Sequence, residues 1–240
     1  MGVVVNTNIS SITASRILSA NRADLEKAME RLASGKRINS AADDAAGMAV
    51  AAKMRADISS LNQSVRNTND AISLVNTYDG AAQEIESILI RMRELAVQSK
   101  NGTYENADRA NANFEYTALK NEITRIAGVS AFNRMTVGQG SSGGAGGTGV
   151  ADTTFTFYVG SDVAKTGNSI AFSAKALDLN LAVSSGTLNS VVDATSAGQA
   201  IATLDDAITE LAANRAQAGA LINRLEHTVS NLMNVSQRLQ

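Results

Sequence analysis

The strongest pattern lies in residues 201–240. One row of positions seven apart reads Ile201, Ile208, Arg215, Ile222, Val229, Ser236, and the row three residues on reads Leu204, Leu211, Ala218, Leu225, Leu232, Leu239. Ten of these twelve positions are apolar, which predicts a coiled-coil seam on one continuous helix. Burying one Leu contributes about 1.5–3 kcal/mol, so this row outweighs any exposed ion pair along it. The stripe still runs at Gln240 with no Gly, Asn or Pro to end it, and reads as a helix interrupted rather than finished.

A second long helix is expected over 43–99, on the unbroken row Leu61, Thr68, Val75, Ala82, Leu89, Ala96. Ile58, Val65 and Ile72 flank it early, Ile85 and Met92 late, so the flank changes side near Asp79-Gly80, where a bend or a loss of register is expected. The turn chemistry of "KNGT" (100–103) ends it. A third helix over 105–127 carries Ala112, Tyr116, Leu119, Ile123 and Ile126, with Gly128 as its stop. At the start, over 8–33, Leu18, Leu25 and Leu32 repeat every seven with Met29 beside them, and Ser34-Gly35 ends this helix. Between 138 and 149 seven of twelve residues are Gly, the composition of a linker. Alternation then predicts strands at "TTFTFYV" (153–159), "SIAFSA" (169–174) and "ALDLNLAV" (176–183). The fold class is therefore mainly α: long antiparallel helices drawn from both chain ends into a coiled-coil-like bundle, with a small β insertion. The boundaries are a first segment and joint over 1–42, helical parts over 43–137 and 196–240, and the insertion over 138–195.

Composition sharpens this. Apolar residues make up 44% but aromatics only 4%, and there is no Pro among 240 residues. Small aliphatic side chains suit helices that lie close together, and nothing interrupts them. A net charge of −2 gives no basic field for nucleic acid. No stretch approaches the 18 or so apolar residues of a membrane span. "MGVVVNTNIS" lacks the cation and apolar run of a signal peptide, and Asn6 stands where a myristoylation signal has Ser or Thr. By these rules the chain stays in the cytoplasm unless it leaves by a route that cleaves nothing.

Candidate chemistry is sparse. One His and no Cys exclude thiolate nucleophiles, Cys-based metal sites and HExxH. His227 falls on the face away from the seam. "GAGGTG" (144–149) matches GxGxxG literally but has Gly and Ser, not a strand, before it. No cofactor is expected. "SGKRINSAADDAAG" (34–47) concentrates charge: Lys36, Arg37, Asp43 and Asp44. Adjacent carboxylates on a helix point about 100° apart. At a helix start they oppose the dipole, with Ser40 as the expected cap. Four N-x-S/T triplets, from Asn8, Asn62, Asn101 and Asn234, fall partly in expected helices and are read as chance.

Several long motifs occur in order: "VNTNISS" (5–11), "ERLASGKRINSAADDAAGMAVA" (30–51), "RNTNDAISLVNTYDGA" (66–81), "IRMRELAVQS" (90–99) and "NEITRIAGVSAFN" (121–133). Over these and 201–240 the chain resembles the bacterial flagellins. The resemblance implies a filament subunit and not an enzyme, exported without cleavage by the flagellar type III apparatus to the extracellular flagellum. Its partners would be other copies of itself and the export apparatus. It implies that the terminal segments order only on polymerisation, and that 138–195 is the variable outward part. It also implies a contact with an innate-immune Toll-like receptor through Arg91, Leu95 and Glu122. Ile90 stands where receptor-stimulating members often have a polar residue. Flagellins carry a further terminal helix past the equivalent of Gln240, so a shortened chain that polymerises poorly and escapes the tail-binding chaperone is expected. Arg134 stands where Gly commonly follows "FN", and a different turn is expected there. The joint 34–47 then reads as contacts between copies, made by Lys36, Arg37, Asp43 and Asp44. Two other readings compete: a hook–filament junction protein of the same terminal architecture, and a surface module whose insertion binds glycans.

Overall fold

The computed structural model describes residues 8–138, 153–160, 167–175, 177 and 190–239. The chain divides into two units, residues 1–57 and 58–240.

In the first unit, helix α1 spans Ile9–Ser34. Asn8 caps it by accepting the Ser11 N–H at 3.2 Å. Gly35 ends it at φ +66°, a left-handed conformation that costs a residue without Cβ nothing, as "SG" predicts. No residue of α1 is buried. Helix α2, Ala45–Lys100, begins in this unit.

The second unit holds the rest of α2, helix α3 (Asn106–Val129), two hairpins and helix α4 (Ala194–Leu239). The expected α2 row is buried from Leu61 to Ala96, and α2 runs unbroken through Asp79-Gly80. It stops at Lys100, where Arg109 of α3 donates to the Ser99 and Asn101 carbonyls at 2.8 and 3.1 Å and satisfies acceptors that the helix end leaves open. Gly128 does not end α3. The helix continues to Val129, and Ser130 closes it by donating both its N–H (2.9 Å) and its hydroxyl (2.7 Å) to the Ile126 carbonyl.

The seam of α4 is narrower than two heptad rows. Ala197, Leu204, Leu211, Ala218, Leu225 and Leu232 are buried on one row, together with Ala200, Ala207 and Asn214 on one flank and Ser236 on the other. Ile201, Ile208, Ile222 and Val229 are only half-buried, as is Leu239. The alanines explain the shift, because a small-residue flank lets neighbouring backbone come close and turns the helix toward that side. Arg215, on the half-buried row, bridges two carboxylates of α2. Its Nε lies 2.8 Å from Asp79, and its Nη1 bonds Glu86.

Strands β1 (Ala131–Phe132) and β2 (Met135–Thr136) form a hairpin absent from the sequence reading. Its two-residue turn places Asn133 at φ +50° and Arg134 at φ +66°, the positive values that suit a right-twisted hairpin. A turn is expected there, and Arg134, standing where Gly commonly follows "FN", itself takes the left-handed position. Just beyond, Gly138 needs its hydrogen, since a Cβ there would meet the Ala127 carbonyl oxygen at 2.7 Å.

Strands β3 (Thr153–Tyr158) and β4 (Ser169–Ala174) pair antiparallel, with Phe155 opposite Phe172 and Phe157 opposite Ile170. The alternation read from sequence is observed: Phe155, Phe157 and Val159 turn inward and the residues between them outward. Two hydroxyls of α2 tie this hairpin down. Ser64 donates to the Gly160 carbonyl at 3.2 Å and Tyr78 to the Lys175 carbonyl at 3.1 Å. Fourteen residues of helix span about 21 Å, and a six-residue strand spans about 20 Å, so the two tethers hold opposite ends of the hairpin. The linker over 138–149 lies outside the described residues except for Gly138, and the third strand, 176–183, except for Leu177.

The core makes two predictions. Leu89→Ala or Leu211→Ala should lower unfolding stability by about 2–5 kcal/mol in denaturant titration, the cost of a cavity where the seam cannot collapse. Tyr116 is buried on α3 with no partner for its hydroxyl among the described residues, and burial pushes its phenol up to about 12. Tyr116→Phe should therefore leave stability unchanged or raise it, because an unsatisfied buried hydroxyl is removed.

Candidate assembly surfaces

In the first unit the joint after α1 is held by one carboxylate. Asp43 Oδ2 accepts the N–H groups of Asn39 and Ser40, both at 3.2 Å, and the Ser40 hydroxyl at 3.3 Å. Its Oδ1 lies 3.6 Å from the Arg31 guanidinium on α1. Asn39 also donates to the Glu30 carbonyl at 3.2 Å, so the loop is sewn back onto the helix it leaves. The Asn39 and then the Ser40 backbone N–H hold the Asp43 carboxyl below its ordinary value. Asp44 caps α2: its Oδ1 accepts the Gly47 N–H at 2.8 Å, and its carbonyl accepts the Met48 N–H at 3.0 Å. Ser40 is therefore a turn residue and not the cap of the long helix. Asp43 and Asp44 spend their lone pairs inside the chain. Lys36 and Arg37 are exposed, and among the described residues neither pairs with a carboxylate.

The residues expected at a receptor contact separate in the second unit. Arg91 is exposed and bridges α2 to α3, with Nε 2.9 Å from Glu115 and Nη1 2.9 Å from Glu94. Glu122 pairs with Arg125 along α3 at 2.6 Å, which holds its carboxyl below the usual range. Leu95 is only 3% exposed and belongs to the core, so the sequence expectation of a surface residue there is corrected. Its position in the RELAVQS stretch puts it one turn from Arg91, within the apolar cluster that α2, α3 and α4 share. The sequence reading missed Glu115, the α3 partner of Arg91. It stands seven residues before Glu122 and so on the same helix face, which was the available signal.

The outer faces of α2 and α3 also expose Ile90, Val97 and Phe114. His227 is exposed on α4, at the edge of a cavity of about 710 Å³ beside Arg224 and Asn231. No group of three or more metal-ligating side chains occurs among the described residues. No helix among them is long and apolar enough to cross a membrane. "GAGGTG" lies outside the described residues.

Long helices, a charged joint and an unburied apolar stripe on α1 are a likeness that comparison can decide. Residues 5–142 match the bacterial flagellin N-terminal helical region. The chain belongs to the bacterial flagellin family. It is 40% identical to a flagellin of Halalkalibacterium halodurans over 99% of this chain and 83% of the relative. It is 40% identical to a flagellar filament core protein of Brachyspira hyodysenteriae over 96% of this chain and 81% of that one. Among solved structures, a Bacillus cereus flagellin superimposes with a TM-score of 0.56 at 33% identity, covering 70% of this chain and 88% of its own.

Two carboxylates make this flagellin's acid sensitivity legible. Asp43 is lowered by its N–H donors, and Asp205 by the Arg93 guanidinium that bonds it at 2.6 Å. A folded value below the ordinary 3.8 contributes stability that is present above 3.8 and lost as pH falls through the folded value. Thermal stability should hold from about pH 8 to 5 and decline below about 4. Carbon-detected titration should place both carboxyls under 3.8; an ordinary value at Asp43 would contradict the joint geometry.

Proposed function

We propose that this flagellin is the structural subunit of an extracellular filament, built from many copies and serving motility. The observation that carries the proposal is α1. Its 26 residues bury nothing, while Leu18, Leu25 and Leu32 stand 61%, 65% and 82% exposed on one heptad row. A helix gains most of its stability from packing of an apolar face. An apolar stripe of this length left in water marks an assembly surface. In a filament the same stripe on every copy finds a counterpart on its neighbours. Residues 1–42 then form the polymerisation segment, 43–137 with 196–240 the shared helical body, and 138–195 the variable outward insertion.

Within that reading, Lys36 and Arg37 make the contacts of the joint with neighbouring copies, since neither pairs with a carboxylate among the described residues. Asp43 and Asp44 shape the joint that presents them. Export through the flagellar type III apparatus is the route that membership of the flagellin family suggests for such a subunit. Host recognition by a Toll-like receptor would fall on the outer face of α2 and α3, where Arg91 and Glu122 are accessible and Leu95 supports the helix from beneath.

Leu18→Ser, Leu25→Ser and Leu32→Ser combined should abolish filaments on cells under electron microscopy, while the purified monomer keeps its melting temperature. Normal filaments would overturn the assembly role of α1. Lys36→Glu with Arg37→Glu should shorten filaments or prevent them, again with an unchanged monomer. For the receptor, Arg91→Ala should shift the dose response by about tenfold or more, the scale of a 1.4 kcal/mol contact, without loss of helicity; an unchanged response would remove this surface from the proposal.

A further inference from the structure

The α2–α4 seam has a weakness that its apolar residues cannot cure. Both rows repeat every seven residues, so sliding α4 along α2 by one heptad, about 10 Å, again sets an apolar row against an apolar row. Leu204, Leu211, Leu225 and Leu232 would still meet Val75, Ala82, Leu89 and their neighbours. Something else must choose among registers.

Among the described residues, three polar ties report on this interface. Asn62 accepts the Ser236 hydroxyl at 3.2 Å, Arg215 bridges Asp79 and Glu86, and Arg93 bonds Asp205 at 2.6 Å. From Asn62 to Arg93 the partner steps back from Ser236 to Asp205 by the same number of residues, so all three report one antiparallel register. Of the two ion pairs the Arg215 tie is the more enclosed, with its side chain 29% exposed and its carboxylates 35% and 29%, against 44% and 49% at Arg93 and Asp205. It is also the one whose neighbours punish a slip. Asp79 and Glu86 are themselves seven apart, and the positions seven beyond them on α2 are Ile72 and Arg93. A slip one way would leave Arg215 between Ile72 and Asp79. A slip the other way would set it between Glu86 and Arg93, a like charge. In both, the positions seven from Arg215, Ile208 and Ile222, would supply a methyl-rich side chain to a half-buried carboxylate.

We propose that Arg215, held between Asp79 and Glu86, is a register-determining residue that makes the native α2–α4 alignment unique against one-heptad slips. A polar group at a seam is suited to this job, because a half-buried charge contributes little net stability when paired but is costly when misplaced.

The chain contains no Cys, so engineered pairs report cleanly. Asn62→Cys with Ser236→Cys reads the native register. Asn62→Cys with Val229→Cys reads a slip in one direction, and Asn69→Cys with Ser236→Cys a slip in the other. A short thiol-to-thiol reagent is applied to folded protein after refolding from denaturant. In an otherwise native chain only the first pair should cross-link. With Arg215→Leu, Asp79→Leu and Glu86→Leu combined, a slipped pair should cross-link at least about tenfold above the native background, with the melting temperature unchanged or higher. Arg215→Glu with Asp79→Arg and Glu86→Arg, which restores opposite charges at the same places, should return cross-linking to the native pair. If the triple Leu chain refolds and cross-links only in the native pair, the seam and hairpin tethers set the register and the proposal fails. If the triple Leu chain does not refold, the charge-exchanged chain decides alone: native-only cross-linking supports the proposal, and slipped cross-links despite restored charges overturn it.

Discussion

The packing of α4 on α2 is the constraint on which the second unit depends. Every other element there is placed by one of these two helices. Tyr116, Ile123 and Ala127 of α3 join the same apolar cluster as Val75, Leu89, Leu204 and Leu211. Phe172 of β4 sets its ring edge-on to Tyr78 of α2, with centroids 5.4 Å apart. Aromatic rings are scarce in this chain, and this one pair stands where the hairpin meets the helices. The alanines of α4 on one side and rings on the other decide how closely each neighbour comes.

Polar groups at the edge of that core specify rather than stabilise. Ser64 and Thr68 are buried on α2, yet each hydroxyl has a carbonyl partner one turn back, at 3.0 and 2.7 Å, so neither leaves an unmet bond. Ser64 also reaches the hairpin. The Asp79–Arg215–Glu86 bridge lies where the α2 flank changes from Ile72 to Ile85. Hydrogen bonding to Asp79, and then to Glu86, raises the Arg215 guanidinium further above its already high value, so its positive charge is always present at the seam.

The first unit follows another logic. Its helix is well capped at both ends and its following loop is stitched by a single carboxylate, yet its apolar row covers nothing. Local chemistry defines the segment's shape, and burial is left for other molecules. Such a division suits a subunit that must remain a separate molecule until it meets its neighbours. The carboxylates that looked most available for contact are the ones the joint itself uses, while the exposed cations Lys36 and Arg37 are what it presents.

Residues 201–240 and the α2 row were legible because a heptad of apolar side chains admits one helix face and no other. Gly35 as a stop, the alternation of β3 and β4, and the family motifs were legible for the same reason: each depends on residues near in sequence. Asp43 reaching back to Asn39 and Ser40, the burial of Leu95, the Arg91–Glu115 link and the Asp79–Arg215–Glu86 bridge were not. A carboxylate's partner is chosen by three-dimensional proximity, and a leucine on a helix flank is buried or exposed according to which neighbours arrive. The β1–β2 hairpin around the expected turn at Asn133-Arg134 escaped because strands of two residues are too short to show an alternating pattern. Sequence by itself determined the helices, their apolar faces and the family. Tertiary structure decided the register, the flank that α4 buries and which charges are spent inside the chain, because those depend on long-range packing that no local pattern contains.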